Sequence, residues 1–148
     1  MSGELEVNAV IVNGGMMPSY KTDGAAAMDL HARTGGADKT IGIPPGKTQK
    51  IPAGIRVAIP DGYAGEIRPR SGMSMRDRVV AILGTIDSDY RGEIGVILHN
   101  AGDVTYQVHD GDRIAQMMIV PVIKTRLTKC CEIDNTSRGD SGFGSTGR

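Results

Sequence analysis

Three arginines, Arg68, Arg70 and Arg76, surround a Ser-Gly pair in the stretch RPRSGMSMR, and Arg78 follows closely. Guanidinium forks, a hydroxyl and N–H groups at a helix start together suit a phosphate cradle. A solvated basic patch is the plain alternative. A second set of anion donors lies in NTSRGDSGFGSTGR, residues 135–148, which carries four glycines and the only Phe of the chain. Glycines let backbone N–H groups approach a phosphate, and Arg138, Ser145 and Thr146 add donors for its oxygens. A lone aromatic ring in so polar a segment suits stacking on a nucleobase, a contact of roughly 1–3 kcal/mol. Together these features describe a tail that folds onto a nucleotide. The alternative is a solvated end.

Three other places are chemically unusual. GTIDSDYRGEIGVILHN, residues 84–100, has apolar runs on both sides, so two strands should pair there. An Asn-Gly or Asp-Gly turn would join them, yet the junction holds Asp87, Asp89, Tyr90 and Arg91. AMDLHA sets Asp29 inside an apolar strand, where a lone carboxylate is costly. Asp29 therefore faces either a hydrogen-bond network or a hydrated metal. In GDRIAQ, residues 111–116, Gln116 interrupts an apolar strand.

Several local matches fail on context. DSDYRG begins like a calcium loop, but its fifth position is Arg91 and its twelfth is Leu98, where a bidentate Glu is needed. GDSG, residues 139–142, matches part of a serine-protease signature, but none of the three histidines has a matching context. RGD, residues 138–140, suggests adhesion, against the intracellular character of the rest.

The elements that must position these groups are strands. The chain has 148 residues, enough for one domain with a real core. No window of about 11 residues gives a clean helical apolar face. Short β-rich runs recur instead over 5–12, 27–32, 39–43, 54–59, 63–69, 78–83, 93–100, 104–109 and 113–123. PPG, PAG, PDG, NAGD and HDGD separate them. This spacing predicts an all-β jelly roll, sandwich or barrel. One helical turn is expected over 71–77, with Ser71 as its N-cap. The division expected is a β domain over 1–133 and a flexible tail over 134–148.

Composition narrows the partners. Formal net charge is zero, so neither a nucleic acid nor a membrane surface is advertised. No apolar run reaches the roughly 18 residues of a membrane span. The N-terminus lacks the pattern of a signal peptide. The two cysteines, Cys130 and Cys131, are adjacent, which favours a reducing compartment and a cytoplasmic protein. Four Tyr, one Phe and no Trp leave an aromatic-poor core, and such a core often gains stability by association.

In order, AAAMDLHA, RPRSGMSMR, GTIDSDYRGEIGVILHN, GDRIAQMMI and RGDSGFGSTG strongly resemble the five motifs of the homotrimeric dUTP diphosphatase family. The resemblance implies a β jelly roll or distorted barrel that forms a homotrimer. Each active site would take parts from more than one subunit, with the C-terminal tail closing over it. It implies Mg²⁺-dependent hydrolysis of dUTP to dUMP and pyrophosphate, which limits uracil in DNA and supplies dUMP for dTMP synthesis.

By the same resemblance Asp87 activates the attacking water, and Tyr90 lies against the deoxyribose where a 2′-hydroxyl would clash. Arg70, Ser71, Gly72 and Gln116 hold phosphates. The backbone around Ala81, Thr85, Ile86 and Gly95 reads uracil. Arg138 reaches the γ-phosphate, Phe143 stacks on uracil, and Gly144, Ser145 and Thr146 line the terminal phosphates. Asp29 touches Mg²⁺ through water. Asp89 and Arg91 are expected in exposed turn chemistry or subunit salt bridges. Ala27-Met28 replaces the usual Gly-Tyr before Asp29, and Ser141 stands where a second Gly is common. The competing expectations are a dCTP deaminase-like enzyme, which shares the fold, and a dUTP-sensing interaction protein.

Overall fold

The computed structural model describes residues 4–142. Alternation of inward and outward side chains builds the strands. In β9 (Gly95–Asn100) Val96, Leu98 and Asn100 point inward and Ile97 outward. In β5 (Ile55–Ala58) Ile55 and Val57 are buried and Arg56 is exposed. The other strands are β1 (Asn8–Ile11), β2 (Met28–His31), β3 (Thr40–Ile43), β4 (Thr48–Pro52), β6 (Tyr63–Arg68), β7 (Val79–Ala81), β8 (Gly84–Ile86), β10 (Tyr106–His109) and β11 (Arg113–Pro121). One short helix, α1 (Ser71–Asp77), lies between β6 and β7.

All pairings between these strands are antiparallel. The largest sheet has the order β2-β11-β6-β8, and a second has the order β4-β9-β7. The pairs β1-β5 and β10-β3 complete the jelly roll. Leu30, Ile51, Ile67, Ile94, Leu98 and Ile114 are among the fully buried side chains of the core between the sheets. Asn100 is buried with them because its side chain is satisfied. Its amide donates to the carbonyls of Ile43 and Val104, both at 2.8 Å, and its oxygen accepts from the Gly102 N–H at 2.9 Å.

The expected strands are present, most with frayed ends. Two strands lie outside the expectation. β4 has only Ile51 buried, so its sequence, TQKIP, lacks a period-two apolar signal. β8 sits where a simple hairpin junction is expected, and it joins a different sheet from β7. The helix spans the expected residues, but Ser71 is not its cap. Arg70 takes the N-cap position with extended backbone and no side-chain cap bond. The helix stops at Arg78, whose φ of 55° is left-handed. Beyond β11, residues 122–142 contain neither helix nor strand, and nearly all of them are exposed.

Candidate active site

One polar cluster forms at the end of β6 that leads into α1. Gln116 on β11 lies opposite Asp29 on β2 and opposite Arg68 on β6. This register sets Asp29 beside the chain running from Arg68 to Ser71. Arg70 brings its Nε to 3.3 Å from one carboxylate oxygen of Asp29, and Arg113 brings its Nη1 to 3.3 Å from the other. Arg70 also donates through Nη1 to the backbone carbonyl of Arg113 at 3.0 Å. The Gln116 amide donates to the Pro69 carbonyl at 3.4 Å. Ser71 and Gly72 are exposed in the first turn of the helix. Asp29 is buried within this charge-paired network. Neutralisation by two guanidinium groups explains how the carboxylate tolerates burial.

His31 is buried two residues further along β2, opposite Arg113. Its Nδ1 has no partner among the described residues. Burial pushes its pKa below the ordinary 6.5. Lys21 adds to the shift, Asp29 opposes it, and Arg113 and Arg70 lower it further.

A second cluster forms at the hairpin. β7 pairs with β9, and the ladder reaches as far as the Ile82 N–H on the Ile97 carbonyl at 2.8 Å. Beyond that bond the two arms part. β8 turns to pair with β6, placing Ile86 opposite Gly65, while Gly95 pairs with Pro52 of β4. The hairpin is thus splayed between two sheets, with Leu83 and Gly84 on one arm and Gly95 on the other. The side chains of Ala81 and Ile86 are buried, whereas Thr85 is exposed.

Past β8 the chain makes a tight turn, with the Tyr90 N–H bonded to the Asp87 carbonyl at 3.1 Å. Arg91 donates to the carbonyls of Ser88 at 2.7 Å and Tyr90 at 3.0 Å, within its own turn. The Tyr90 hydroxyl donates to the Glu93 carbonyl at 2.9 Å. The Glu93 carboxylate accepts the Gly54 N–H at 2.9 Å and ties the turn to the β4–β5 corner. Asp87 is exposed and joins none of the ion pairs among the described residues. It lines an open cleft of about 740 Å³ with residues 58–64, Arg91 and Lys124.

The hairpin arm runs along β6, with Gly84 opposite Ile67, so within the two clusters it is Asp87 and Arg70 that lie toward opposite ends of the strand. Asp87 stands beside Ala64, and Arg70 lies beyond Arg68, a separation of roughly 20 Å at the rise of an extended chain. Arg70, Ser71, Gly72, Gln116 and Asp29 are therefore brought together, and Ala81, Thr85, Ile86, Asp87, Tyr90 and Gly95 form a separate group. Arg138 joins neither group. Its guanidinium donates to the Ser141 carbonyl at 2.9 Å, within its own turn. Phe143, Gly144, Ser145 and Thr146 lie outside the described residues. Sequence reading did not single out Arg113, His31 or Glu93. Arg113 lies within GDRIAQ, but its approach to Asp29 depends on strand register, which the local sequence does not encode.

The fold and its two clusters define a β jelly roll that sets anion donors at one end of a strand and a solvent-facing carboxylate at the other. Residues 13–147 match the dUTPase family. Similar proteins include the deoxyuridine 5′-triphosphate nucleotidohydrolase of Roseobacter denitrificans, 44% identical over 133 residues, which are 88% of this chain and 86% of that protein. The protein of the same name from an Anaeromyxobacter species is 46% identical over 134 residues, 89% of this chain and 88% of that one. Among solved structures, a mutant dUTPase of Staphylococcus bacteriophage 80alpha with dUpNHpp has a TM-score of 0.87 at 25% identity, covering 97% of this chain and 99% of that one. The chain belongs to the dUTPase family.

Proposed function

We propose that the protein hydrolyses dUTP to dUMP and pyrophosphate, with Asp87 as the base. The observation that carries this reading is the Asp87 carboxylate, free of ion pairs among the described residues, on a turn that Tyr90 and Glu93 hold rigid. In the step, Asp87 takes a proton from water as the water oxygen bonds to the α-phosphorus. The bond from that phosphorus to its bridging oxygen breaks, and pyrophosphate leaves with the electron pair. Arg70, Ser71, Gly72 and Gln116 hold the phosphate oxygens, and the splayed arms at Ala81 to Ile86 and Gly95 receive the uracil. Tyr90 covers the sugar. Residues 134–148 act as a tail that closes the site, bringing Arg138 to the γ-phosphate, Phe143 to the base, and Gly144, Ser145 and Thr146 to the terminal phosphates.

The same reading makes the protein a homotrimer. A base must sit within about 3 Å of the water it activates, or act through one further water. Asp87 and Arg70 of one chain, at opposite ends of β6, are too far apart to serve one triphosphate. Asp87 of one copy and the arginine cluster of another together supply a whole site.

Mg²⁺ is the proposed metal, and it would neutralise charge on the triphosphate oxygens. Among the described residues no three His, Cys, Asp or Glu side chains converge to hold a metal. That donor set fits an ion carried mainly by the triphosphate and its own waters. The same reading has Asp29, though paired with Arg70 and Arg113, accept from one of those waters through a remaining lone pair. Among the described residues no helix is long and apolar enough to cross a membrane. The proposed location is the cytoplasm, on the cysteine argument.

The test is pyrophosphate release from dUTP by the native protein and by Asp87→Asn. The variant should lose about 10² to 10⁴ in turnover, the usual share of a general base, and keep binding of a non-hydrolysable analogue within about tenfold. Ammonia release from dCTP would point to a deaminase. Tight dUTP binding without turnover would point to a sensor.

A further inference from the structure

We propose that Arg113 is a positioning residue for Arg70: by sharing Asp29, it stops that carboxylate from closing on the guanidinium that must hold phosphate. The inference rests on the phosphate role of Arg70 given above.

Three observations carry it. First, β11 is irregular at this point. Its pairing with β2 shifts register between Arg113 and Ala115, and such bulges re-aim a side chain. Second, Asp29 is divided between two partners. Arg70 takes one oxygen and Arg113 the other, each at 3.3 Å, so neither makes the short paired contact of a fork on a carboxylate. Third, Arg70 is held from two sides. Its Nε faces Asp29 and its Nη1 donates to the backbone carbonyl of Arg113.

The guanidinium of Arg113 is thus the only part of this arrangement that a side-chain substitution there removes, because the carbonyl remains. Without it, the second oxygen of Asp29 is free and turns toward Arg70. A carboxylate that takes Arg70 through two N–H groups competes with phosphate for the same fork. Arg113 keeps the pair open. Its own side chain is half exposed, so a substitution there need not disturb the core.

The test measures binding of α,β-imido-dUTP to the full-length protein in EDTA by titration calorimetry. Arg113→Gln should weaken binding about tenfold, the scale of one charged hydrogen bond. Arg113→Lys still holds the Asp29 oxygen and should stay within about threefold. The decisive comparison is a double-mutant cycle. Adding Asp29→Asn to Arg113→Gln should return affinity to that of Asp29→Asn alone, because the competing carboxylate charge is gone.

In turnover with Mg²⁺, Arg113→Gln should raise KM and leave kcat nearly unchanged. Additive losses in the cycle would mean that Arg113 meets the phosphate directly, and would overturn the proposal. A loss in Arg113→Lys equal to that in Arg113→Gln would overturn it too. If Arg113→Gln does not fold, Arg113→Met, which keeps the apolar stem, takes its place in the cycle. Absence of both dUTP turnover and analogue binding in the native protein would instead remove the dUTPase reading itself.

Discussion

The hydroxyl of Tyr90 donates to the carbonyl of Glu93 across Gly92, and the ring closes the space above that glycine. A methyl group built on Gly92 would lie 2.9 Å from ring carbon Cε2 and closer still to the hydroxyl end. Gly92 is therefore the seat of the ring. Gly92→Ala should push Tyr90 off its bond and disturb the surface proposed to exclude a 2′-hydroxyl. The dUTP/UTP ratio of kcat/KM should fall roughly tenfold, about 1.4 kcal/mol, and Tyr90→Ala should fall similarly. If both variants keep the ratio and lose only thermal stability, Tyr90 merely packs the turn.

Two inactive variants should rescue each other. Asp87→Asn spoils the hairpin end of β6 and Arg70→Ala spoils the arginine end. If each site draws these groups from different chains, unfolding and refolding the two variants together gives mixed assemblies containing some intact sites. Activity should return to a sizeable fraction of the native value, whereas either variant refolded alone stays low. Analytical ultracentrifugation of the native protein should show three copies. No recovery in assemblies shown to be mixed would place the whole site in one chain.

Asp110 offers a stability test away from the site. Its carboxylate accepts from the Thr34 N–H at 2.7 Å and pairs with Arg33, which also donates to the Asn13 carbonyl. Burial raises the Asp110 pKa, but the Thr34 N–H and the Arg33 charge outweigh it, and the result is below the ordinary 3.8. The folded value lies below the unfolded one, so the unfolded chain binds more protons as pH falls past about 4. The stabilisation is complete above that pH and is lost as pH drops through the folded value. Asp110→Asn should cost about 1–3 kcal/mol near neutrality, from the lost charged hydrogen bonds. The gap from the native protein should shrink below pH 4 in urea melts. A gap that stays constant with pH would exclude the ion pair as its source.

Deleting residues 137–148 should leave the melting temperature of the β core and the oligomeric state unchanged. Within this segment, residues 137–142 add no strand and little burial. Turnover should nevertheless fall steeply, since the deletion removes Arg138 and Phe143 together with the cover over the charged centre. Phe143→Ala should reproduce roughly 1–3 kcal/mol of that loss in transition-state free energy. Full kcat/KM in the truncated protein would leave the tail as a solvated end.

What the sequence reveals here depends on the range of the interaction. The helix over 71–77 and the alternation in β9 are written in neighbouring residues, and both are legible. β4 is not, because only Ile51 faces the core and its other positions carry no apolar period. β8 hides for another reason: the apolar run before Gly84 reads as one strand, and only the pairing of Ile86 with Gly65 reveals that the chain has changed sheets. At the site, the residue types in RPRSG point to anion chemistry from local composition alone, whereas in GDRIAQ only the polar break at Gln116 is legible. The sharing of Asp29 between Arg70 and Arg113 is invisible at that level, since it joins β2, β11 and the N-cap of α1 and turns on a register shift in β11.

The position of β2 has a consequence for how the protein is made. Among the described residues, apart from a single bridge between Asp29 and Ser19, β2 has β11 as its only strand partner. During translation β2 leaves the ribosome with Leu30 and a bare backbone edge, and it waits for nearly the whole remaining core to be synthesised. Contacts so distant along the chain form slowly, and an unpaired edge is open to aggregation meanwhile. A nascent chain stalled before residue 113 would carry RPRSG and the hairpin intact, yet could not assemble the arginine pair around Asp29. The cluster around Asp29 is therefore completed late in synthesis, and until then the β2 edge stays unpaired.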